Sequence, residues 1–330
     1  MGIFDEKSIN DKTQEMINVY ENWPKYAQES YDNAKPIKVK FEKIIFCGMG
    51  GSGLVFDILS SLILDKQVVI NKGYVLPKNI SNSLMIFNSA SGDTIETITA
   101  LKTALKSKNK IIAFSSGGKL ENFCKKNKIT HIKYDMQSSP RASLPVSLYT
   151  ILGTLSDSFG IKKSMITKSI KSLHDVKKKI FENVDSNPAI NLAEFIKDGP
   201  ICYHSPELFP VALRFSQDFQ ENCKKFATQG DVIESCHNFI NSWETITNFS
   251  PILLRGSNDD KNTVKRFEVW VEYFKTRGIS YMELFSVKGD LLTQFMTLMY
   301  EMGLSTICHA VQNDIDPTLL EAIDFVKARV

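Results

Sequence analysis

KIIFCGMGGSGLVFDILSSLIL, residues 43–64, decides the fold. A short apolar run (KIIFCG, 43–48) ends in glycines, and the apolar residues after it recur at helical spacing. A strand that turns through glycine into a helix is the opening of a β–α unit. Outward from it come the apolar runs QVVI (67–70) and LMIFNSA (84–90). DTIETITALKTALKSK (93–108) reads as an amphipathic helix with Asp93 as N-cap and Glu96 three residues later. KIIAFSS (110–116), GKLENFCKKN (118–127) and THIKY (130–134) complete the alternation. Strands alternating with helices of this length predict an α/β fold with a parallel sheet covered on both faces.

Beyond this block the text turns helical. PVSLYTILGTLSDSFG (145–160) predicts a buried helix, and KKSMITKSIKSLHDVKKKIFENV (162–184) a long basic amphipathic one. DSNPAINLAEFIKDG (185–199) gives turn residues and a short helix. From PICYHS (200–205) the strand–helix pattern restarts. A helix is expected over 208–225, strands over 226–230, 251–256 and 281–285, and helices over 262–278 and 289–314. The closing DPTLLEAIDFVKARV (316–330) opens on Asp-Pro, a natural N-cap and N1 pair. The same α/β layer is thus written twice. The expected organisation is an N-terminal helical segment (1–40), a first α/β domain (41–160), a helical bridge (161–197) and a second α/β domain (198–330).

Composition bounds the function. At about 150 residues per domain, 330 residues suggest two domains. Forty basic against 37 acidic residues leave a net charge of +3, which argues against a chain built to coat nucleic acid or anionic lipid. An apolar fraction of 43% with 23% charged residues excludes global disorder. Cys47, Cys124, Cys202, Cys223, Cys236 and Cys308 form no C-x-x-C pair and read as reduced, packed thiols. The N-terminus MGIFDEKSINDKTQEM is charged from residue 5 and lacks the apolar core of a secretory leader, and no segment approaches a membrane span. A cytoplasmic protein is expected.

Two turns carry the sharpest chemical signal. Gly48-Met49-Gly50-Gly51-Ser52-Gly53 sits between a strand and a helix, where backbone can approach a ligand and unpaired N–H groups face an anion. It has neither the G-x-G-x-x-G spacing of a dinucleotide site nor the G-K-[ST] of a P-loop. Ser89-Ala90-Ser91-Gly92-Asp93-Thr94 gathers three hydroxyls at the next helix start, a chemistry that suits a phosphate monoester. Taken alone it reads equally well as a capped helix. Paired with the first turn at the carboxyl ends of neighbouring strands, it marks the place where open α/β sheets bind ligands. Ser115-Ser116-Gly117-Gly118 repeats the theme.

These three turns resemble those of sugar-isomerase (SIS) domains. Ser139-Pro140-Arg141-Ala142, Glu221-Asn222, His237-Asn238 with Trp243 downstream, and the terminal D-P-T-x-x-E-A-I-x-x-x-K add a closer match. In that order, from about residue 40 to the end, they resemble the archaeal-type bifunctional phosphoglucose/phosphomannose isomerase family, a chain of two SIS domains. The resemblance implies two SIS-type domains, each a parallel sheet flanked by helices. It implies interconversion of glucose 6-phosphate and mannose 6-phosphate with fructose 6-phosphate, and a homodimer whose active site lies at the subunit interface. By position it makes Gly50, Gly51 and Ser52 the first substrate loop and Ser89, Ser91 and Thr94 the phosphate loop. It makes Glu221 the catalytic base, Arg141 the cation beside the reacting carbons, and His237, entering from the neighbouring subunit, the ring-opening group. Lys327 is the lysine that approaches the sugar.

Each role has a physical reason. Moving a proton between C1 and C2 through a cis-enediol(ate) needs a carboxylate-type base, and Glu221 fits. The enediolate needs a fixed cation, which Arg141 supplies, and ring opening suits an imidazole near neutral pH. The same residues read blandly as an ion-pair glutamate, a surface arginine, a helix-end histidine and a solvated lysine. His131, His174, His204 and His309 match no motif and are expected to be structural. No cofactor or metal is expected, because the proton transfer runs on side chains and no H-E-x-x-H cluster is present.

The chain also departs from the family. Bulky Leu54-Val55-Phe56-Asp57 follows the glycines, Ala90 stands where an aromatic is common, Asp93 where Asn is usual, and Cys236 before the histidine. Thr318 is the nearest counterpart of a family threonine. The alternatives are a single-specificity phosphosugar isomerase and a non-catalytic phosphosugar-binding SIS protein. The latter class carries a DNA-binding domain for which residues 1–35 are too few.

Overall fold

The computed structural model describes residues 10–182, 187–245 and 248–329; the sequence expectations for residues 1–9, 183–186 and 330 lie outside the described residues. The chain divides into two compact units. One spans Asn22–Lys171, and the other joins the described residues up to Glu21 with those from Ser172 onward.

In the Asn22–Lys171 unit five strands pair in parallel: β1 (Lys43–Cys47), β2 (Gln67–Asn71), β3 (Ser83–Ser89), β4 (Lys110–Ser115) and β5 (Thr130–Lys133). Their order across the sheet is β2-β1-β3-β4-β5. All seven residues of β3 are buried, while the edge strands β2 and β5 are half-buried, as a sheet covered on both faces requires. The covering helices are α2 (Trp23–Asn33), α3 (Gly50–Leu62), α4 (Ile95–Ala104), α5 (Gly118–Lys126) and α6 (Leu144–Phe159). Phe46 of β1 stacks on Phe56 of α3 with centroids 4.5 Å apart and meets the edge of Phe159 at 6.1 Å. The bulk after the glycine turn therefore serves packing against the sheet. In this order β1 connects to one side and β3 to the other, so the chain switches direction between them, and the turns after β1 and β3 flank the crevice at the carboxyl edge.

The second unit repeats the topology with one strand fewer. Strands β6 (Pro200–His204), β7 (Thr228–Asp231), β8 (Ser250–Arg255) and β9 (Met282–Phe285) pair in parallel in the order β7-β6-β8-β9. Helices α9 (Phe209–Cys223), α10 (Val232–Ser235), α11 (Lys261–Arg277) and α12 (Leu291–Gln312) follow these strands in turn. Helix α7 (Lys163–Phe181) leads into this unit; α1 (Asp11–Glu21) and α8 (Pro188–Phe195) pack on α12, and α13 (Glu321–Lys327) ends the chain. On one face Tyr203 lies 4.3 Å from Trp270 and accepts a hydrogen bond from the Trp243 indole at 2.7 Å. α12 is apolar nearly all round, and it is buried nearly all round.

Three local expectations change. Helix α4 begins at Ile95 with Thr94 at its N-cap, because the Asp93 carboxylate is engaged elsewhere, accepting from the Lys119 amide at 3.0 Å. The C-terminal helix starts at Glu321 rather than after Asp316-Pro317, because Asp316 accepts from the amide and hydroxyl of Thr318 at 2.8 and 2.6 Å and closes a turn. β7 starts at Thr228, leaving Phe226 86% exposed outside it.

Two tests follow from this packing. Phe46→Ala is expected to cost about 3–5 kcal/mol in urea unfolding, because it opens a cavity between sheet and helix; a loss near zero contradicts the stacking. His309, buried on α12, donates through Nδ1 to the Ala193 carbonyl at 3.0 Å, and burial lowers its pKa below 6.5. The unfolded chain then binds the extra proton first, so stability falls as pH drops below about 6.5. His309→Gln is expected to flatten that slope in pH-dependent denaturation; an unchanged slope contradicts it.

Candidate active site

At the carboxyl edge of the first sheet three helices begin, α3 after β1, α4 after β3 and α5 after β4. Their N-cap residues, Met49, Thr94 and Gly117, make no side-chain capping bond. Backbone N–H groups in the first turn of a helix carry the positive end of its dipole, so the starts of α3 and α4 favour an anion, whereas the Lys119 and Leu120 amides of α5 already donate to the Asp93 carboxylate and the Gly92 carbonyl. Between them the hydroxyls are arranged by one another. Ser89 Oγ lies 2.9 Å from Thr94 Oγ1 and accepts from the Gly92 amide at 3.1 Å; Ser91 Oγ accepts from the Asp93 amide at 3.2 Å. Ser52 Oγ accepts from the Ala90 amide at 2.9 Å, which ties the glycine turn to the serine turn. Asn88 donates to the Ser52 carbonyl and accepts from Tyr134 at 2.9 Å, fixing both turns from below.

The third turn holds the second. Ser116 donates to the Ala90 carbonyl through both amide and hydroxyl, and the Leu120 amide donates to the Gly92 carbonyl at 2.8 Å. Gly92 has φ +75°, and a Cβ there would stand 1.9 Å from the Gly117 carbonyl oxygen. Only glycine permits that approach. His131 Nε2 lies 2.8 Å from Ser115 Oγ, which also bonds Gly117, so this histidine buttresses the third turn. The Asp93 carboxylate, an unfavourable neighbour for an anion, is exposed and held by Lys119.

Gly50, Gly51, Ser52, Ser89, Ser91 and Thr94 thus lie on turns at one edge of one sheet, with Ser52 and Ser89 buried and Gly50 and Ser91 exposed. Arg141 belongs to the same unit, 3% exposed, on a turn stitched by Ser143 Oγ to the Ser139 carbonyl and by the Trp23 indole to the Ala142 carbonyl. Burial distinguishes it from a solvated surface arginine.

The other predicted residues lie in the second unit. Glu221 is half-buried on the last turn of α9. Lys224 donates to the Glu221 carbonyl at 2.6 Å and to the Pro317 carbonyl at 3.5 Å, so Asp316–Thr318 is held at the Glu221 end of α9. His237 is exposed just beyond α10. Along the chain Glu221 precedes β7 and His237 follows it. Lys327 is exposed on α13, which buries none of its residues. Cys236 accepts from the Trp270 indole at 3.2 Å and donates to the Val232 carbonyl, a packing role beside the histidine.

The second sheet has its own switch point between β6 and β8, and the loop after β8 carries a carboxylate. Asp259 accepts from the Gly256 amide at 2.9 Å, placing a carboxylate on the loop after β8 where the turns of the first unit carry hydroxyls. Burial pushes the Asp259 pKa up. Among the described residues no group of three His, Cys, Asp or Glu side chains is placed to hold a metal ion. Missing from the sequence expectations were Asn88 and Tyr134, whose signal is only spatial, and the buried pair Arg214–Asp218, while His131 is structural as expected. The pair stands in the sequence as two opposite charges four apart on a helix that also carries Ser216, Gln217, Gln220, Glu221 and Asn222.

Two parallel α/β units in tandem, with a hydroxyl-and-amide cradle at the switch point of the first, define a SIS-type architecture. Residues 185–330 match the family model described as bacterial phospho-glucose isomerase C-terminal SIS domain. A protein of Caldicellulosiruptor bescii named bifunctional phosphoglucose/phosphomannose isomerase is 28% identical, covering 94% of this chain and 97% of its own. A Sulfolobus acidocaldarius protein named D-glucosamine-6-phosphate 4-epimerase is 26% identical, covering 95% and 97%. In fold, the chain is similar to the crystal structure of a hypothetical protein from Thermus thermophilus, with TM-score 0.76, 13% identity and coverage of 99% and 91%. Over most of its length the chain is similar to proteins named bifunctional phosphoglucose/phosphomannose isomerase, and its C-terminal part matches a phospho-glucose isomerase SIS domain.

Ser91→Ala, which removes an exposed hydroxyl of the serine turn, is expected to diminish the rise in melting temperature that inorganic phosphate gives the wild-type protein, at little cost to the melting temperature without phosphate. Undiminished stabilisation would show that the cradle does not hold the anion.

Proposed function

We propose that the protein is an aldose–ketose isomerase of hexose 6-phosphates, interconverting glucose 6-phosphate and mannose 6-phosphate with fructose 6-phosphate. The observation that carries this reading is the cradle of Ser89, Ser91 and Thr94 hydroxyls beside the starts of α3 and α4, whose N-cap residues make no side-chain capping bond. It suits the three acceptor oxygens of a phosphate monoester. Gly50, Gly51 and Ser52 supply the adjoining backbone, and each compact unit is one SIS domain.

With the phosphate anchored, Glu221 takes the proton from C2 of the open-chain aldose to give a cis-enediolate and returns it to C1, while the O2 proton passes to O1. The Arg141 guanidinium stabilises the enediolate charge. His237 opens the sugar ring from the neighbouring protomer of a homodimer; its exposure supports action in trans. Lys327 approaches the sugar from the C-terminal helix. All six cysteines are free and five are buried, which fits a reducing cytoplasm. Among the described residues no helix is long and apolar enough to cross a membrane.

Proton NMR in D2O tests the reaction. Glucose 6-phosphate and mannose 6-phosphate, supplied separately, are each expected to give fructose 6-phosphate, with solvent deuterium entering at C1 or C2. Turnover of one alone removes the dual specificity, and inversion at C4 instead would align the chain with its epimerase-named relative. Glu221→Gln is expected to lower kcat by about 10²–10⁴-fold with KM nearly unchanged. Mixing Glu221→Gln with His237→Ala protomers is expected to restore activity in the hybrid dimer; no restoration contradicts the trans arrangement.

A further inference from the structure

Helix α9 buries an ion pair. Arg214 is 2% exposed and Asp218 1%, with Nε and Oδ2 2.7 Å apart. Burying two charges is costly, and an apolar pair of similar volume would serve packing as well or better. The third residue on this helical face, at i, i+4 and i+7 from Arg214, is Glu221. The guanidinium interacts electrostatically with Asp218, Tyr20 and Glu221 and hydrogen-bonds Tyr20. Tyr20 of α1 is fully buried and stacks on Tyr300 of α12 at 6.5 Å. The helices make room for it at Gly303, where a Cβ would lie 3.0 Å from the Tyr20 ring, 3.1 Å from its hydroxyl and 3.4 Å from Asp218 Oδ2. A cation, a carboxylate and a phenol from two helices are thus locked together on the face of α9 that carries the proposed base.

We propose that Arg214, fixed by Asp218 and Tyr20, is the positioning residue that holds the Glu221 carboxylate in place for proton transfer. The inference rests on the assignment of Glu221 as the base. Arg214 touches no substrate; it acts through Glu221. Its five donors in a rigid fork suit the task, because one edge is committed to Asp218 while the others remain for Tyr20 and the field at Glu221. Other charged or titratable groups near this end of α9 are Lys224 on the helix itself, Asp316 on the C-terminal segment, Glu21 on α1, and Tyr300 and His309 on α12.

The test is the pH dependence of kcat/KM in two single variants. Removing the cation in Arg214→Met is expected to move the acid limb up by about half a pH unit or more, and removing the anion in Asp218→Asn to move it down. In both, kcat falls by about tenfold or more while KM changes by less than about threefold. Opposite shifts from the two halves of one pair are an outcome that a packing role does not produce. If a single variant fails to fold, Arg214→Met/Asp218→Leu, which removes both charges at once, and Tyr20→Phe, which removes only the phenol hydroxyl, give the readout. Both are expected to stay folded and lower kcat at unchanged KM. Acid limbs coincident with wild type, or full kcat in the folded double variant, overturn the proposal. Glu221→Gln separates the two levels: isomerisation surviving it removes the base itself, whereas its loss with unshifted Arg214 and Asp218 limbs removes only this inference.

Discussion

The site depends on one close contact between two turns, Gly92 against the Gly117 carbonyl. Because the backbones meet there, the amides and hydroxyls of residues 89–94 are held by the next turn rather than by one another alone. Leu120 and Ser116 donate into the serine turn and Asp93 is drawn off to Lys119, so the one carboxylate on this turn is anchored away from it. Helix α4 consequently starts without a side-chain cap from Thr94. A cap supplied from within would have satisfied the same N–H groups that an incoming phosphate needs.

The two units show what this arrangement excludes. They share the strand order and the switch point, yet the second places the Asp259 carboxylate on its own Gly256 amide. A turn rich in hydroxyls and a loop that carries its own carboxylate thus follow central strands of the two sheets. The second unit carries instead a buried ionic network on α9, Arg214 with Asp218 and Tyr20, on the helical face that Glu221 occupies.

Much of this was legible in the residues. The β–α alternation was, because parallel strands buried on both faces are uninterrupted apolar runs such as KIIFC and SLMIFNS. The serine and glycine turns were legible because their composition suits few other conformations. The start of α4 was misplaced by one residue, since Asp93 is a good N-cap in isolation and only the fold supplies Lys119 as a competing partner. The Asp316-Pro317 helix start failed for a related reason: Thr318 is close enough to claim the Asp316 carboxylate first. Asn88 and Tyr134 left no mark in the sequence, because their role comes from strands brought side by side. Arg214 and Asp218 left a mark that composition hides, for charges four apart on a helix are ordinarily solvated.

A crystal structure with a hydroxamate mimic of the enediolate bound tests the central claim most directly. Phosphate oxygens are expected within hydrogen-bond reach of the Ser89, Ser91 and Thr94 hydroxyls, and the Glu221 carboxylate against the atoms that stand for C1 and C2. A phosphate seated anywhere else, or a Glu221 side chain turned to solvent in every occupied subunit, would contradict it.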